Sequence, residues 1–354
     1  MNYNNCFNRM KHSHFILVLL ILVAVATSCH RTPGDVPEPA RSMYYWRTTM
    51  SLDSAERAFL SEHGVKKLYV RYFDVVMKDS VAMPNATLHF PDSAPDIPAG
   101  IEVIPTVFIV ENVMHHDLGD MARLVVERVV QISATNGLAA PREVQIDCDW
   151  TRTSMERFYA FLRDARAVAS EHGMRLSATI RLHQLTMPPP PVDYGVLMVY
   201  NTGDATKLNG HNPILDLRDV KPYLRHLANY QLPLCAAYPC YEWQLLFRGK
   251  EFKAVLHGEN LADSSLYRRV SDGHYAVVAS RDIPELSGDG TTTTWVTVGD
   301  SVIVFRPTAS QIIEVARALA GERRDINRQV VLYTLDRSNT NKYTHNDYET
   351  IFHP

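Results

Sequence analysis

The sequence predicts an α/β fold, a (β/α)8 barrel with a small β-containing insertion after its seventh strand. From Met43 onward, short β-rich runs alternate with longer amphipathic runs, which is the pattern of a fold built from βα units. The β-rich runs number eight, as this barrel requires. The alternative, a doubly wound open sheet, favours a Gly-rich first turn, whereas the chain reads Thr49-Met-Ser-Leu52 after the first predicted strand.

Each predicted element follows from its own residue pattern. The strands are rich in β-branched and aromatic residues and are predicted at 44–49, 67–74, 102–110, 143–150, 175–182, 195–201, 232–238 and 330–336. Helices are predicted from apolar residues at helical spacing at 51–63, 118–135, 154–172, 217–229 and 309–321. The segment Ser51-Leu-Asp-Ser54 resembles a helix cap, and Thr153-Ser-Met-Glu156 fits a capping box.

Two segments interrupt this alternation. Residues 186–192 contain four consecutive prolines, Pro188 to Pro191, so a rigid loop is expected there instead of a helix. Residues 248–307 are too long for a βα loop and contain β-rich pieces at 275–280, 293–298 and 301–305. Gly299-Asp300 is predicted to be a hairpin turn between the last two pieces. The segment is therefore interpreted as an inserted subdomain.

The charge balance argues against a nucleic-acid partner. Lys and Arg number 36 and Asp and Glu 39, giving a formal net charge of -3 with none of the excess positive charge that phosphate backbones require. Apart from Cys6 and Cys29, the cysteines are Cys148, Cys235 and Cys240, an odd set in apolar runs that indicates buried thiols. No cofactor or metal site is predicted, because the adjacent residues His115-His116-Asp117 rarely converge on one ion.

The N-terminus has the features of an export signal. Arg9 and Lys11 precede an uncharged apolar run at 15–26, which is short for a membrane span and typical of a signal-peptide core. The run leads into Ala26-Thr-Ser-Cys29, which resembles the lipobox of bacterial lipoproteins. We therefore expect a signal peptide at 1–28, lipidation of Cys29, a tether at 29–42 and the barrel at 43–354. This implies a bacterial cell envelope protein with a lipid anchor; the alternative is a plain secretory signal.

Strand four carries the clearest candidates for chemistry. Alternation along the strand places Gln145, Asp147 and Asp149 on one face, directed into the predicted barrel. Buried carboxylates are costly unless they are paired or hydrogen-bonded, so this placement indicates either a functional site or a structural network. In the second case the partners would be three arginines near strand ends, namely Arg47, Arg71 and Arg181.

Three segments resemble the chitinase-like glycoside hydrolases of family eighteen. Ile146-Asp-Cys-Asp-Trp-Thr151 is similar to the strand-four pattern D-G-x-D-x-D-W-E, with Thr151 in place of the final glutamate. Leu197-Met-Val-Tyr-Asn201 resembles the M-x-Y-D of strand six, with Asn201 in the aspartate's place. Ala237-Tyr-Pro-Cys-Tyr241, followed by Trp243, resembles the G-x-P-x-Y segment of strand seven. Segments 145–151 and 176–184 also resemble uncharacterised exported bacterial proteins with barrel-like folds.

The family resemblance implies a glycan as the binding partner and specific roles for these residues. In the family the glutamate protonates the leaving group, and the preceding aspartate and the strand-six tyrosine assist the substrate's acetamido group. Asp147 and Asp149 are the candidate catalytic residues of strand four. Asp149, Tyr200 and Asn201 would keep the binding part of this machinery, while Thr151 cannot act as the acid. Further candidate sugar contacts are Trp150, Arg181, His183, Tyr238, Tyr241 and Trp243.

Three hypotheses follow. The first, which we prefer, is a membrane-anchored barrel that binds glycans without the usual acid. The second is an active glycoside hydrolase that combines Asp149 with a relocated acid, Glu242 or Glu111, each just past the end of a predicted strand. The third is a structural lipoprotein whose polar interior serves only stability.

Overall fold

The computed structural model describes residues 40–91, 96–284 and 293–354. The predicted signal peptide, Cys29 and most of the tether lie outside the described residues. Among the described residues, no helix has both the length and the apolar character needed to cross a membrane.

Sixteen strands are described. In chain order they are β1 (Ala40–Tyr45), β2 (Lys67–Lys78), β3 (Val81–Asn85), β4 (Glu102–Ile109), β5 (Glu143–Asp147), β6 (Arg175–Arg181), β7 (Tyr194–Met198), β8 (Leu234–Pro239), β9 (Trp243–Arg248), β10 (Glu251–Leu256), β11 (Tyr267–Ser271), β12 (His274–Val277), β13 (Arg281–Pro284), β14 (Thr293–Val296), β15 (Ser301–Phe305) and β16 (Gln329–Tyr333).

Eight of these strands form a closed parallel barrel. Their order is β1-β16-β8-β7-β6-β5-β4-β2, and β2 pairs with β1 to close the ring. The first and last barrel strands are neighbours, with Ser42 opposite Val331. The predicted fold class is therefore confirmed, and each of the eight barrel strands overlaps its predicted range. β3 adds to the sheet as an antiparallel partner of β2.

The first strand differs most from its predicted position. β1 ends at Tyr45, whereas the prediction extended it to residue 49. The Tyr45 hydroxyl donates to the Thr49 carbonyl over 2.6 Å and accepts from the Ser51 amide over 2.9 Å, which fixes a turn where the strand was expected to continue. Pairing with β16 already begins at Ala40, before the predicted barrel boundary at residue 43.

Six α-helices are described: α1 (Ser54–Glu62), α2 (Met121–Thr135), α3 (Met155–Glu171), α4 (Leu217–Leu227), α5 (Ala309–Glu322) and α6 (His345–Phe352). The first five match predicted helices, and α6 was not predicted. A capping box of Asp53 and Glu56 begins α1. The capping box predicted from Thr153 and Glu156 is absent, because α3 has Ser154 as its N-cap and the Thr153 hydroxyl lies 2.8 Å from the Thr151 hydroxyl. Between β6 and β7 the described chain forms only a 3-10 helix, Leu182–Thr186, before the proline run.

The segment between β8 and α5 forms two further sheets. One has the strand order β10-β9-β15-β12-β11, and the other is the hairpin of β13 and β14. Gly299-Asp300 does not make the predicted hairpin turn, because β14 pairs with β13 and β15 pairs with β9 and β12. The larger sheet begins at Trp243, before the predicted boundary at residue 248.

The interior of the barrel combines apolar and polar side chains. Tyr44, Tyr69 and Tyr194 are fully buried there beside smaller apolar residues. The Tyr44 hydroxyl donates to Oε1 of Gln145 over 2.8 Å, and the hydroxyls of Tyr69 and Tyr194 lie 2.7 Å apart. This packed, hydrogen-bonded layer lies below the C-terminal ends of the strands and supports the residues of the site.

Candidate functional site

A cleft of about 520 Å³ opens at the C-terminal ends of the barrel strands, where this fold places chemistry. Most of its lining residues lie at or just beyond the end of β1, β4, β5, β6, β7 or β16. The lining consists of Trp46, Arg71, Phe108, Asp147, Asp149, Arg181, Leu182, His183, Met198, Tyr200, Asn201, Thr202, Tyr223 and Tyr333. Six of these residues were predicted site residues: Asp147, Asp149, Arg181, His183, Tyr200 and Asn201.

Arg181, the last residue of β6, binds both aspartates. Its guanidinium donates to Oδ1 of Asp147 over 3.2 Å and, through Nε, to Oδ1 of Asp149. Asp147 is 3% exposed and also accepts from the Thr179 hydroxyl over 2.6 Å. Burial raises the pKa of Asp147, although Arg181 and Thr179 act in the opposite direction. The side chain of Asp149 is 55% exposed, so it is the more accessible of the two carboxylates.

The other two arginines of the predicted network have different partners. Nε of Arg71 donates to Oδ1 of Asp74 over 2.7 Å, and its guanidinium lies 5.7 Å from the Trp46 ring. Arg47 donates to the carboxylate of Glu56 over 2.8 Å and not to Asp147 or Asp149. Of the three arginines, only Arg181 therefore compensates Asp147 and Asp149 directly.

Aromatic rings form one wall of the cleft. Tyr200 and Tyr333 stack with centroids 4.9 Å apart, and Trp46 lies 5.9 Å from Tyr333. The Tyr241 hydroxyl donates to Oδ1 of Asn201, which fixes the side chain of this positive-φ residue. Burial raises the pKa of Tyr200 well above its usual value, so this phenol stays protonated at neutral pH. Tyr333 was not predicted as a site residue. Its position at the end of the last barrel strand could have indicated that it lines the cleft.

Thr151, in the position of the family's acid, contacts Glu111. The Thr151 hydroxyl donates to Oε1 of Glu111 over 3.1 Å, and the His115 ring nitrogen lies 3.0 Å from the same oxygen. Partial burial acts to raise the pKa of Glu111, but hydrogen bonds from Ser154 and Thr151 and the nearby His115 outweigh it, so the pKa lies below its usual value. Glu111 follows β4 and Thr151 follows β5, and neither residue lines the described cleft.

Glu242, the other candidate acid, is held by two cations. Its Oε2 lies 2.8 Å from Nζ of Lys342 and 3.7 Å from the guanidinium of Arg306. It follows β8 on the loop that leads into β9, and the described cleft lining does not include it.

The structure corrects the placement of two predicted aromatic contacts. Trp150 is 0% exposed and packs against Phe158 and Tyr159 of α3, with ring centroids at 6.1 and 5.3 Å. Tyr238 is also fully buried, and its hydroxyl donates to Oδ1 of Asn327 over 2.6 Å. Both side chains belong to the core between strands and helices: Tyr238 lies on the outward face of β8, and Trp150 follows the end of β5. Neither presents a ring to the cleft.

The remaining predicted contacts lie at the edge of the site. His183 lines the cleft from the 3-10 helix after β6. Partial burial lowers the pKa of His183, with Asp149 acting in the opposite direction. Trp243, the first residue of β9, lies 6.0 Å from the Tyr241 ring, so it extends the aromatic group away from the cleft.

Comparison with known proteins shows similarity in fold and none in sequence family. The sequence matches no protein-family model, and it matches none of the curated proteins with which it was compared. The structure is similar to chitinase from Chromobacterium violaceum ATCC 12472, with a TM-score of 0.53 and 10% identity over 89% of this chain and 98% of that chain. It is also similar to the Bacillus cereus spore cortex-lytic enzyme SleL, with a TM-score of 0.51 and 16% identity over 89% of this chain and 75% of that one.

A third similar structure was solved with a sugar. It is a mutant GH18 chitinase from Cycas revoluta in complex with (GlcNAc)4, with a TM-score of 0.51 and 10% identity over 88% of this chain and 98% of that chain. The chain therefore has a chitinase-like barrel fold. Within that fold its strand-four motif ends in Thr151, where the resembled pattern has glutamate.

Proposed function

We propose that this protein binds glycans in the cleft and lacks the usual catalytic acid. The observation that carries the proposal is the arrangement of polar side chains at the C-terminal end of β5. Arg181 binds both Asp147 and Asp149, and position 151 offers a hydroxyl that is already hydrogen-bonded to Glu111. Such an arrangement presents a fixed set of polar groups to a ligand and lacks a protonated carboxyl at the expected place.

The composition of the cleft supports a sugar as the ligand. The rings of Trp46, Tyr200 and Tyr333 lie together on one side, and aromatic faces of this kind pack against the apolar faces of sugar rings. Asp149, His183 and Asn201 supply donors and acceptors for hydroxyl and acetamido groups. An apolar wall with a few convergent polar groups is the usual form of a small-ligand site.

One observation favours a second candidate function, an active hydrolase with Glu111 as a relocated acid. Glu111 contacts the residue at the acid position, so a shift of its side chain would bring its carboxyl to the edge of the cleft. Its lowered pKa opposes this role, because a general acid must hold its proton near the working pH. Glu242, held by Lys342 and Arg306, has less support.

Separate measurements of binding and turnover distinguish these functions. The full chain, carrying Cys29→Ser to prevent lipidation, is titrated with the N-acetylglucosamine tetramer and with soluble peptidoglycan fragments by calorimetry. Products are followed by mass spectrometry. Saturable binding without cleavage is the expected result. Cleavage would establish the hydrolase, and the absence of any glycan binding would favour the structural lipoprotein.

We further propose that the protein is exported and lipid-anchored to the bacterial cell envelope through Cys29. The support is the sequence alone, in which Arg9 and Lys11, the apolar run and Ala26-Thr-Ser-Cys29 occur in the order of a lipoprotein signal. In a bacterial host the parent chain should sediment with membranes, and Cys29→Ser should be released into the soluble fraction. Equal membrane association of the two chains would refute the anchor.

A further inference from the structure

Two histidines and a glutamate meet where α1 ends and α6 begins. Glu62 is the last residue of α1, His63 follows it, and His345 is the first residue of α6. One possible ligand atom from each residue lies within 4.8 Å of the others. Nδ1 of His345 is 3.0 Å from Oε1 of Glu62, and the two imidazole rings lie 4.7 Å apart.

This group is separate from the cleft. Arg41, near the start of β1, donates to the His63 carbonyl over 2.8 Å, so the group lies at the N-terminal ends of the barrel strands. The cleft lies at the opposite ends. A ligand bound at this group would therefore not contact Asp147, Asp149 or a sugar in the cleft.

A neighbouring carboxylate orients His63. Nδ1 of His63 lies 2.8 Å from Oε1 of Glu349, and Arg41 binds both oxygens of that carboxylate over 2.8 Å each. The Glu349 carboxylate therefore accepts the Nδ1 proton of His63, which leaves Nε2 of His63 with a free lone pair.

The ring of His63 is also fixed by packing. His63 is 3% exposed and lies between the rings of Phe59 and Tyr348, with centroids at 4.4 and 5.3 Å. Within the described part of the chain, no hydrogen bond is made to its Nε2. A buried, preoriented imidazole with one nitrogen bound to a carboxylate is the arrangement that protein metal sites use for a histidine ligand.

We propose that Glu62, His63 and His345 form a zinc site. Two imidazole nitrogens and one carboxylate oxygen suit Zn²⁺, which takes such ligands at about 2.0–2.2 Å and leaves a fourth position for water. The side chains of Glu62 and His345 are 59% and 50% exposed, so they can close on the ion while His63 stays fixed. Zinc binding requires the ring of His345, now at 26° to the plane of the His63 ring, to tilt until both lone pairs point to one ion.

The ion would connect two helices that are distant in sequence. His345 begins α6 near the C-terminus, and Glu62 ends α1, so a shared ion cross-links the last helix to the first. A ligand that binds the folded chain and not the unfolded chain raises the free energy of unfolding, and the gain grows with the logarithm of its concentration over its dissociation constant. The role inferred for this zinc site is therefore stabilisation of the N-terminal end of the barrel.

The test uses the full Cys29→Ser chain after treatment with a chelator. Zn²⁺ is titrated by calorimetry, thermal unfolding is recorded with and without Zn²⁺, and Mg²⁺, which prefers oxygen ligands, serves as the control ion. We expect saturable zinc binding and a higher melting temperature with Zn²⁺ only. His345→Ala and Glu62→Gln should each lower the affinity about tenfold or more, and Glu349→Gln about 10–100-fold.

Matched changes at exposed positions separate this site from other zinc ligands. His257→Ala and Glu322→Gln remove an exposed histidine and an exposed glutamate elsewhere and should leave the affinity unchanged. Because His345 and Glu62 are largely exposed, their variants should fold, which melting without metal verifies. Equal zinc affinity and equal melting shifts in His345→Ala, Glu62→Gln and the parent would overturn the proposal, and so would the absence of saturable binding. If zinc were held only by cysteines or histidines before residue 40, His345→Ala, Glu62→Gln and the parent would all bind zinc equally.

Discussion

The hydroxyl of Thr151 donates a hydrogen bond to Oε1 of Glu111 over 3.1 Å. In the resembled motif this position carries the glutamate that protonates the leaving group. Here the position is held by a side chain that cannot supply a proton at neutral pH, and the carboxylate that it contacts, Glu111, has a lowered pKa. The two aspartates of the same motif, Asp147 and Asp149, are bound to Arg181.

Restoring the acid is the most direct test of a disabled hydrolase. In Thr151→Glu the new carboxyl lies beside Glu111, and the like charge raises its pKa and favours the protonated form that an acid needs. Because general-acid catalysis contributes about 10²–10⁴-fold where the other geometry is intact, cleavage of the N-acetylglucosamine tetramer should increase by that order. Product formation is measured by mass spectrometry.

Thr151→Gln is the matched control, since it has the size of glutamate without an ionisable group, and it should show no gain. The preferred function would be contradicted by strong cleavage in the parent chain that Glu111→Gln or Glu242→Gln abolishes. That pair of results would identify the relocated acid.

The sequence predicted the barrel well because the barrel strands have a strong local pattern. The β-branched and aromatic runs ending near Asp147, Arg181 and Tyr333 are strands in the structure. The shift of the first strand escaped prediction because it depends on the Tyr45 hydroxyl, which binds a turn several residues away. α6 escaped prediction because it is short and is begun by a cap between Thr344 and Asp347.

Site residues were predictable where strand position decides them. Asp147, Arg181, Tyr200 and Asn201 line the cleft because they end or follow barrel strands. The alternation that directs Asp147 and Asp149 inward puts Trp150 on the opposite side, where it packs against α3; its predicted sugar contact came from the family resemblance and not from the strand pattern. The contact between Thr151 and Glu111 joins residues from two strand ends, and only the closed sheet brings them together.

Binding without catalysis should depend on the charge of Asp149. Asp149→Asn keeps the shape and removes the charged partner of Arg181, so the affinity for the N-acetylglucosamine tetramer should fall by about 1–3 kcal/mol, the usual value of a charge-assisted hydrogen bond. Calorimetry gives the dissociation constants. Asp272→Asn, at an exposed aspartate outside the cleft, is the control. Unchanged affinity in Asp149→Asn would place the sugar elsewhere.

Arg181 should also be required for stability. Arg181→Met leaves the buried carboxylate of Asp147 without its cation, and breaking a buried ion pair in this way costs about 3–5 kcal/mol. Urea unfolding at pH 7 measures the loss, and the double variant Arg181→Met with Asp147→Asn should recover part of it. A loss of similar size in the double variant would mean that the Arg181 side chain acts through packing.

The same variant should have a distinctive pH dependence. Burial raises the folded-state pKa of Asp147 above its unfolded value, so the folded state binds the proton more tightly. Loss of Arg181 raises that pKa further, and stability should therefore recover as the pH falls through it toward the unfolded value. Unfolding free energies of Arg181→Met relative to the parent, measured between pH 7 and pH 4, check the sign.

Glu349 should show the opposite pH dependence. Arg41 and His63 lower its folded-state pKa to about 2, so its contribution to stability is present above the unfolded pKa and is lost as the pH falls toward about 2. In the presence of a chelator, Glu349→Gln should be less stable than the parent at pH 7, and the difference should shrink below about pH 4.3. A difference that is constant with pH would show that the carboxylate acts only through its shape.

The half-buried Trp46 of the cleft wall and the fully buried Trp150 should respond differently to truncation. Trp46→Ala removes a ring from the cleft wall, where it lies 5.9 Å from Tyr333, and should weaken binding of the N-acetylglucosamine tetramer because the sugar loses a stacking surface. Trp150→Ala creates a cavity against Phe158 and Tyr159 and should lower the free energy of unfolding by about 3–5 kcal/mol. Calorimetric titration and urea unfolding of both variants give the two quantities.

Because Trp150 has no ring face in the cleft, the folded Trp150→Ala chain should keep an affinity close to that of the parent. A larger loss of affinity in folded Trp150→Ala than in Trp46→Ala would mean that Trp150, and not the cleft wall, supports the sugar.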